Sequence, residues 1–284
     1  MDWMLFPENL GAHLGIDEVS LSKGELYTFI TNKKGKGKKG TLVACIKGTL
    51  SKDIIAVLER LPLSSRKLVE EVTLDMAKNM EAAVKMAFPL ASLVTDRSHV
   101  VKLANKPLQH LRIKERWKEL EKENTAILQA KKEGAKYIAV QLSNGDTPKQ
   151  LLARSRYIIA KKPNQWTENQ KQRAILLFKL YPHLETAYNH TLEFRDIYEQ
   201  RDKLNATEHF DRWIKDTFDK KFETFYTTAN TVKANHQNIL NFFNNRNTNA
   251  NAESFNAKIK LFRANLRGVV DTTFFLFRLH KLFA

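Results

Sequence analysis

The order of strand-like and helical segments in the first hundred residues is the feature that most constrains the fold. Three strand-like runs come first, and the short connections between them, rich in turn residues, favour an antiparallel meander. A helical pattern that ends at Pro62, a fourth strand, a second helical pattern that ends at Pro89 and a fifth short strand follow. The order is therefore β-β-β-α-β-α-β. The predicted strands lie at residues 15–21, 26–31, 41–47, 71–75 and 92–95.

Beyond the fifth strand the sequence has helical periodicity over a long stretch, with no convincing strand. Thr167 and Gln170 have the spacing of a helix capping box. Aromatic residues recur at helical spacing; we interpret them as the core of this block, with a base-stacking surface as the alternative. We therefore expect an all-α insertion at residues 105–240, between two parts of an α/β core at residues 1–104 and 241–284.

The last part of the chain follows an asparagine-rich stretch at residues 244–251. The sequence predicts an amphipathic helix from Ala252 to Arg267, with Glu253 as its second residue and Gly268 as its stop. A hydrophobic tail at residues 269–283 contains four phenylalanines, which need burial or a partner.

The chain is strongly basic: 47 lysines and arginines against 31 acids give a formal net charge of +16. This excess indicates a polyanionic partner, nucleic acid before a membrane surface. The single cysteine, Cys45, excludes an internal disulfide framework and a cysteine-based zinc site, and it fits a reducing compartment. Since the sequence has neither a membrane-spanning run nor a signal-peptide pattern, we expect a cytoplasmic, nucleoid-associated protein.

Three acids stand out by their positions. Asp17 lies on a predominantly apolar face of the first strand, Asp75 ends the fourth strand, and Glu253 begins the last helix. Each alone has a structural explanation: a strand-edge acid, a helix cap and a favourable first-turn charge. The element order, however, is that of a ribonuclease H-like fold, in which the first and fourth strands are neighbours and a later helix packs across them. In that fold the three carboxylates would converge, and a carboxylate trio can hold two Mg²⁺ ions for phosphodiester displacement.

We accordingly predict an α/β protein with a ribonuclease H-like mixed five-stranded sheet, interrupted by the all-α insertion. Four segments stand out, in this order: IDEVSLSKGELYTFIT (16–31), VTLDMAKNM (72–80), VTDRSHVVKL (94–103) and NAESFNAKIK (251–260). Together they resemble the DDE transposases of bacterial insertion sequences, most closely the ISL-three type. The resemblance implies that Asp17, Asp75 and Glu253 are the catalytic triad and the ligands of two Mg²⁺ ions, with Mn²⁺ as a substitute.

The same resemblance implies auxiliary roles for four further residues. Asp96 and His99 match an acid-x-x-His signature that would orient DNA or the site; for His99, an ordinary hydrogen-bonded histidine at a helix start is the alternative. Lys260 lies seven residues after the third acid, on the same helix face, and would contact a phosphate. Lys258 is a near rival, and a helix this basic needs no special reason for a lysine. Asn256, three residues after the third acid, is a weaker candidate on that face.

A lysine-rich run, KKGKGKKG at residues 33–40, joins the second and third strands. It is not a Walker phosphate-binding loop, because Thr41 follows a glycine rather than the required lysine. We interpret it as a solvated turn, with a non-specific phosphate contact as the alternative.

Full-length members of the family carry a zinc-binding segment and a helix-turn-helix ahead of the first catalytic strand, whereas only about fourteen residues precede that strand here. We therefore expect a catalytic portion, whose DNA-recognition module either is a separate polypeptide or has been lost. The expected function is metal-dependent phosphodiester cleavage and strand transfer at insertion-sequence ends, by a homo-oligomer assembled on end and target DNA, with no membrane involved. The alternatives are a nuclease on the same fold without strand transfer and an inactive DNA-binding remnant.

Overall fold

Six strands pair into one mixed sheet in the computed structural model, which describes residues 2–21, 25–266 and 271–284. The strands are β1 (Trp3–Leu5), β2 (His13–Ser20), β3 (Leu26–Asn32), β4 (Leu42–Lys47), β5 (Glu71–Leu74) and β6 (Ser92–Thr95). They lie side by side in the order β1-β4-β3-β2-β5-β6. The pairs from β1 to β2 are antiparallel, whereas β2, β5 and β6 run parallel.

The predicted fold class is confirmed: the protein is α/β, with a ribonuclease H-like mixed sheet interrupted by helices. The five predicted strands form the consecutive part β4-β3-β2-β5-β6. The sheet has six strands rather than the five expected, because β1 adds to the open edge of β4, with Met4 opposite Cys45. Met4 is buried, which holds this edge strand in place. Three residues are too few to show a strand-like alternation in the sequence.

The described residues contain thirteen α-helices. They are α1 (Ser51–Leu58), α2 (Leu63–Arg66), α3 (Lys78–Ala87), α4 (Arg97–Lys132), α5 (Pro148–Arg154), α6 (Glu168–Leu180), α7 (Pro182–Ile197), α8 (Lys203–Asp219), α9 (Glu223–Ala234), α10 (His236–Leu240), α11 (Phe242–Asn245), α12 (Ala250–Asn265) and α13 (Thr272–Phe283). Helix α12 begins two residues earlier than predicted, so Glu253 is its fourth residue rather than its second. Arg267 and Gly268, where the sequence predicts the end of this helix, and residues 269–270 of the predicted tail lie outside the described residues.

Two compact units divide the chain, and the sheet belongs to the first, Met1–Val100 with Ala234–Ala284. Helices α1 and α3 pack on one face of the sheet, where Leu14 and Ile16 of β2 are buried. Helices α12 and α13 pack on the other face, against Val19 of the same strand. Alternation along β2 therefore directs Asp17 towards the face that α12 covers, as its position relative to Val19 predicts.

Helix α13 accounts for most of the predicted hydrophobic tail. It buries Phe275, Leu276 and Leu279 in the same apolar cluster as Phe255 of α12. Burying a side chain of this size stabilises a fold by about 1.5–3 kcal/mol, which is reason enough for the tail to pack on the sheet.

The second unit, Val101–Lys233, is helical wherever its described residues have regular structure. Phe194 is buried, and its ring centroid lies 5.5 Å from Phe210 and 4.7 Å from Trp213, both in edge-to-face geometry. These aromatic rings are core, as their helical spacing indicates. The predicted capping box begins α6, with the Thr167 side chain accepting a hydrogen bond from the Gln170 amide.

Compactness alone does not show where a functional domain ends, so the domain limits predicted from the sequence stay a prediction. None of the helices in the described ranges combines the length and the apolar character needed to cross a membrane.

Candidate functional site

Three adjacent parallel strands bring three aspartates together: two follow the carboxyl ends of β5 and β6, and the third, Asp17, lies in the middle of β2, just beyond its pairing with β5. Leu74 of β5 pairs with Thr95 of β6, and the Asp96 amide donates to the Leu74 carbonyl at 2.8 Å. Asp75 and Asp96 are the next residues of their two strands. Gly15 of β2 pairs with Thr73, and the same register continued by two residues brings Asp17 beside Asp75. The strand order thus collects acids that are far apart in sequence.

Asp17 is a half-buried carboxylate on the face covered by α12. Its Oδ2 accepts a hydrogen bond from Asn256 Nδ2 at 2.6 Å, and its Oδ1 accepts one from the Glu18 amide at 2.8 Å. Burial raises the pKa of Asp17; the Glu18 amide and His99 oppose the rise, and the negative charges of Asp75 and Glu253 add to it, with a net increase. The electrostatic field of the other predicted site residues therefore reaches Asp17.

Asp75 serves the turn between β5 and α3. Its Oδ1 accepts a hydrogen bond from the Ala77 amide at 2.9 Å, one residue before that helix begins. Asp75 is not the helix cap considered for it, because the N-cap of α3 is Ala77, which makes no side-chain capping bond; Asp75 stabilises the preceding turn instead. This bond does not exclude a metal-binding role, since a carboxylate has two oxygens and several lone pairs.

Asp96, His99 and Glu253 form the tightest group of possible metal ligands among the described residues. One ligand atom from each lies within 4.8 Å of the other two. Ser98 Oγ lies 2.5 Å from Asp96 Oδ2 and 2.9 Å from Glu253 Oε1. A hydroxyl has one proton to donate, so it satisfies one of these two oxygens at a time. The grouping is a crowded negative site of the kind that a cation neutralises.

Asp96 also anchors the start of α12. Its Oδ1 accepts a hydrogen bond from the Asn249 amide at 2.9 Å, and its Oδ2 lies 3.2 Å from His99 Nδ1. Burial alone would raise the pKa of Asp96, but the hydrogen bonds from His99, Ser98 and Asn249 outweigh it and lower the pKa to about 2. Asp96 is therefore ionised at neutral pH, and its charge holds the segment that carries Glu253.

Gly15 lets that segment approach the sheet. A Cβ atom at this position would collide with Asn249 Oδ1 and would lie 3.4 Å from Ala252 Cβ. Asn249 is almost completely buried, so it has little room to move aside. The glycine is what the close packing of α12 on β2 requires.

A family model for DDE transposases of the ISL-three type, described as "Transposase", matches residues 14–279. The chain belongs to this transposase family. Transposases cleave and transfer DNA, so membership makes DNA the expected partner. No curated protein and no solved structure gave a significant match. The matched range includes every residue that the sequence analysis assigned to the site.

The predicted auxiliary residues of this transposase differ in their contacts. Asn256 is buried and bonded to Asp17. Lys260 is exposed on α12, and within the described ranges it makes no hydrogen bond or ion pair to the acids. Its rival Lys258 donates to the Gly37 carbonyl at 2.9 Å, so it holds the lysine-rich turn against α12. Lys260 is thus the better placed of the two for a phosphate.

The interpretation of the lysine-rich run as a solvated turn is wrong for its first residue. Lys33 Nζ lies 3.1 Å from Glu71 Oε1, and the two side chains are only 10% and 3% exposed. Glu71 Oε2 accepts hydrogen bonds from Asn245 Nδ2 at 3.2 Å and from Asn247 Nδ2 at 3.1 Å. Thr73 Oγ1 also contacts Lys33 Nζ. Lys33 turns inward because it directly follows β3 and so starts at the sheet, whereas the lysines further along the turn are exposed.

Glu71 is held ionised by this network. Burial would raise its pKa, but the charge of Lys33 and the hydrogen bonds from Asn245, Asn247 and Lys33 prevail, and its pKa lies below its usual value. Since Asn247 is two residues before Asn249, the network fixes the entry to α12 from a second direction. Sequence reasoning missed Glu71, Asn249 and Gly15.

The donor set fits the predicted metal. Carboxylate oxygens, which Asp17, Asp75 and Glu253 all offer, are the ligands that Mg²⁺ prefers. In the group of Asp96, His99 and Glu253, an imidazole nitrogen adds tolerance of Mn²⁺. Burial raises the pKa of the half-buried Asp17, and the charges of Asp75 and Glu253 add to the rise, as expected where acids gather around a cation position. The joint binding of metal by Asp17, Asp75 and Glu253 stays a prediction.

Proposed function

We propose that this member of the transposase family catalyses metal-dependent phosphodiester cleavage and strand transfer at insertion-sequence ends. In this proposal Asp17, Asp75 and Glu253 are the catalytic residues and the ligands of two Mg²⁺ ions, which Mn²⁺ can replace. The row of acids at three adjacent parallel strands carries the proposal, because only a polyvalent cation makes such a row favourable near the phosphates of DNA.

Two successive displacements at phosphorus make up the reaction. A water oxygen forms a bond to the phosphorus at the element end, the P–O3′ bond breaks, and the released oxygen takes a proton to become a 3′-hydroxyl. That hydroxyl oxygen then attacks a phosphodiester of target DNA, where one P–O bond forms and another breaks; the attacking hydroxyl gives its proton to solvent, and the oxygen that leaves takes one up to become a new 3′-hydroxyl. When bound, two Mg²⁺ ions supply polarisation of the attacking oxygen and stabilisation of the leaving one.

The chain's own groups orient the acids. Asn256 restrains the Asp17 carboxylate through one of its oxygens, and His99 restrains Asp96. Ionised Asp96 accepts a hydrogen bond from the Asn249 amide at the start of α12. This bond fixes the position of Glu253 along the sheet edge. Lys260 contacts a DNA phosphate in this proposal. Preorganised ligands of this kind cost no rearrangement when charge develops on the reacting phosphate.

The remaining parts of the proposal concern partners. End and target DNA bind with strong salt dependence, since the formal charge is +16. A separate recognition polypeptide supplies end specificity, the chain acts as a homo-oligomer on DNA, and it is associated with the nucleoid in the cytoplasm.

Asp75→Asn tests the catalytic assignment. Asparagine keeps an oxygen that accepts from the Ala77 amide, so the variant removes one negative charge with little change in shape. We expect Mg²⁺-dependent cleavage of DNA carrying the native ends to fall to background, with DNA binding unchanged or slightly tighter. The matched control is Asp53→Asn, the same change at an exposed position of α1.

The products separate the alternatives. Joined end and target DNA support strand transfer, whereas nicks without joined products identify a nuclease on the same fold. Metal-independent DNA binding without any cleavage identifies an inactive remnant. Cleavage by Asp75→Asn at the rate of Asp53→Asn contradicts the role of Asp75.

A further inference from the structure

A cavity of about 760 Å³ lies where two segments unused by the proposed chemistry meet. Residues 32–34, at the start of the lysine-rich run, contribute to its lining, and so do residues 246–248 of the asparagine-rich stretch. The cavity volume falls within the roughly 300–1,000 Å³ typical of ligand clefts. Local sequence gives no reason for these two segments to meet, but the Glu71 network binds Lys33 and Asn247 and so joins them.

Positive charge dominates the lining. Lys34 and Arg246 are cations, against the single acid Glu8. Both are exposed, whereas the charge of Lys33 is largely cancelled by the ionised Glu71 carboxylate 3.1 Å away. The group that fits such a lining is an anion with several acceptor oxygens.

Arg246 is oriented before any ligand arrives. Its guanidinium carbon lies 5.4 Å from the ring centroid of Phe242 and 6.0 Å from that of Phe243. Stacking of this kind reduces the freedom of a long side chain, and the planar guanidinium can donate two parallel hydrogen bonds to a phosphate. Asn247 and Thr248 line the same cavity as further polar residues.

The cavity also lies at a distance from the acids that one DNA strand can span. Glu71 binds Lys33 and Asn247, two residues that line the cavity. It is the first residue of β5, and Asp75 directly follows the last residue of that strand, four positions later. At about 3.3 Å per residue these positions are about 13 Å apart, a distance that a short stretch of one DNA strand with a few phosphates covers. A DNA strand with its reacting phosphate at the acids therefore has another phosphate within reach of the cavity.

We propose that this cavity binds a backbone phosphodiester of the DNA substrate, with Lys34 and Arg246 as the contacting cations. The inference rests on the proposed function, which makes DNA the substrate. The site carries no sequence preference, because phosphate contacts position a duplex without reading its bases. Its role is to hold the DNA in register with the acids.

The test compares two double variants of equal charge in the full-length chain. Lys34→Gln with Arg246→Gln removes both cavity cations, whereas Lys38→Gln with Lys39→Gln removes two exposed lysines of the same turn that do not line the cavity. Binding to a duplex of the native end is measured by fluorescence anisotropy in EDTA, at several salt concentrations. We expect the cavity variant to bind roughly tenfold more weakly, with the slope of log affinity against log salt smaller by about one. The control should change binding by less than about twofold.

Separate titrations distinguish the sources of phosphate. Inorganic phosphate and a nucleoside monophosphate are each tested as competitors of the duplex. If either binds at micromolar concentration and the cavity variant loses that binding, the site takes a free phosphate ligand and the assignment to DNA is wrong. Displacement only at high millimolar concentration supports it.

The proposed function and the cavity can fail separately. A wild-type chain that cleaves DNA with Mg²⁺, but whose two double variants bind equally well, contradicts the cavity site and leaves the proposed function intact. A wild-type chain that binds no DNA contradicts both. Selective weakening in the cavity variant, with circular dichroism like that of wild type, supports the site.

Discussion

Replacing Glu71 by glutamine should destabilise the first unit by about 3 kcal/mol. The substitution keeps the size of the side chain but removes the negative charge opposite Lys33, whose side chain is only 10% exposed. Breaking a buried ion pair from one side costs about 3–5 kcal/mol, because the remaining charge stays buried without compensation. We expect the lower end of that range, since glutamine retains one oxygen for Lys33 or the asparagine amides and Lys33 also contacts Thr73.

The assay is urea unfolding together with amide hydrogen exchange read out by mass spectrometry. The chain has two compact units, so a single unfolding curve does not report on the first alone, whereas exchange in β2 and β5 does. The matched control is Glu70→Gln, one residue earlier, where the carboxylate is 72% exposed and lies 3.7 Å from His13. An exposed pair of this kind contributes at most about 1 kcal/mol.

The pH dependence provides a second check. The pKa of Glu71 lies below its ordinary value of 4.5 in the fold, so its ionised form stabilises the native state. That contribution is complete above about pH 4.5 and is lost as the pH falls through the lowered pKa of the folded state. The difference between wild type and Glu71→Gln should thus be constant from pH 6 to 8 and should shrink in acid. If Glu71→Gln lost no more unfolding free energy than Glu70→Gln, the reasoning would be refuted.

Three further outcomes are expected. Gly15→Ala should cost about 1–3 kcal/mol in urea unfolding and abolish cleavage, because the new methyl group displaces Asn249. Asn256→Ala should weaken the apparent Mg²⁺ affinity by about tenfold in a metal titration of cleavage, since it releases Asp17 from its hydrogen bond; an unchanged titration would contradict that positioning role. Burial raises the pKa of Cys45, so iodoacetamide should modify it only after unfolding, and rapid modification of the native chain would show that β4 is not covered.

The strands and the acid positions were predictable because local patterns carry them. Alternation marked β2 and the face of Asp17, and the turn residues between runs gave the meander. Asp75 was marked by its place at the end of an apolar run, but the helix-cap explanation for it was wrong, because its side chain accepts from the Ala77 amide in the turn and Ala77 itself is the N-cap of α3. β1 was missed because three residues are too short for a periodic signal.

The contacts that fix the site were not predictable because they join residues that are distant in sequence. Glu71 is 38 residues from Lys33 and 176 from Asn247, and nothing in its own strand indicates a buried partner. Composition made the lysine-rich run appear fully solvated, and only the fold shows that its first lysine starts at the sheet. Asn249 stands among several similar asparagines, so its bond to Asp96 has no local signal.

The helical unit between β6 and α12 determines when, during synthesis, the protein can assemble its complete set of acids. Asp96 leaves the ribosome 157 residues before Glu253, as their positions in the chain show. At about 5–20 residues per second, the row of aspartates exists for about 8–30 s before its last acid is made. A nascent chain that has already folded its sheet therefore cannot assemble the complete set of acids. In the proposed function, any cutting of DNA near the site of translation must wait until Glu253 has been made.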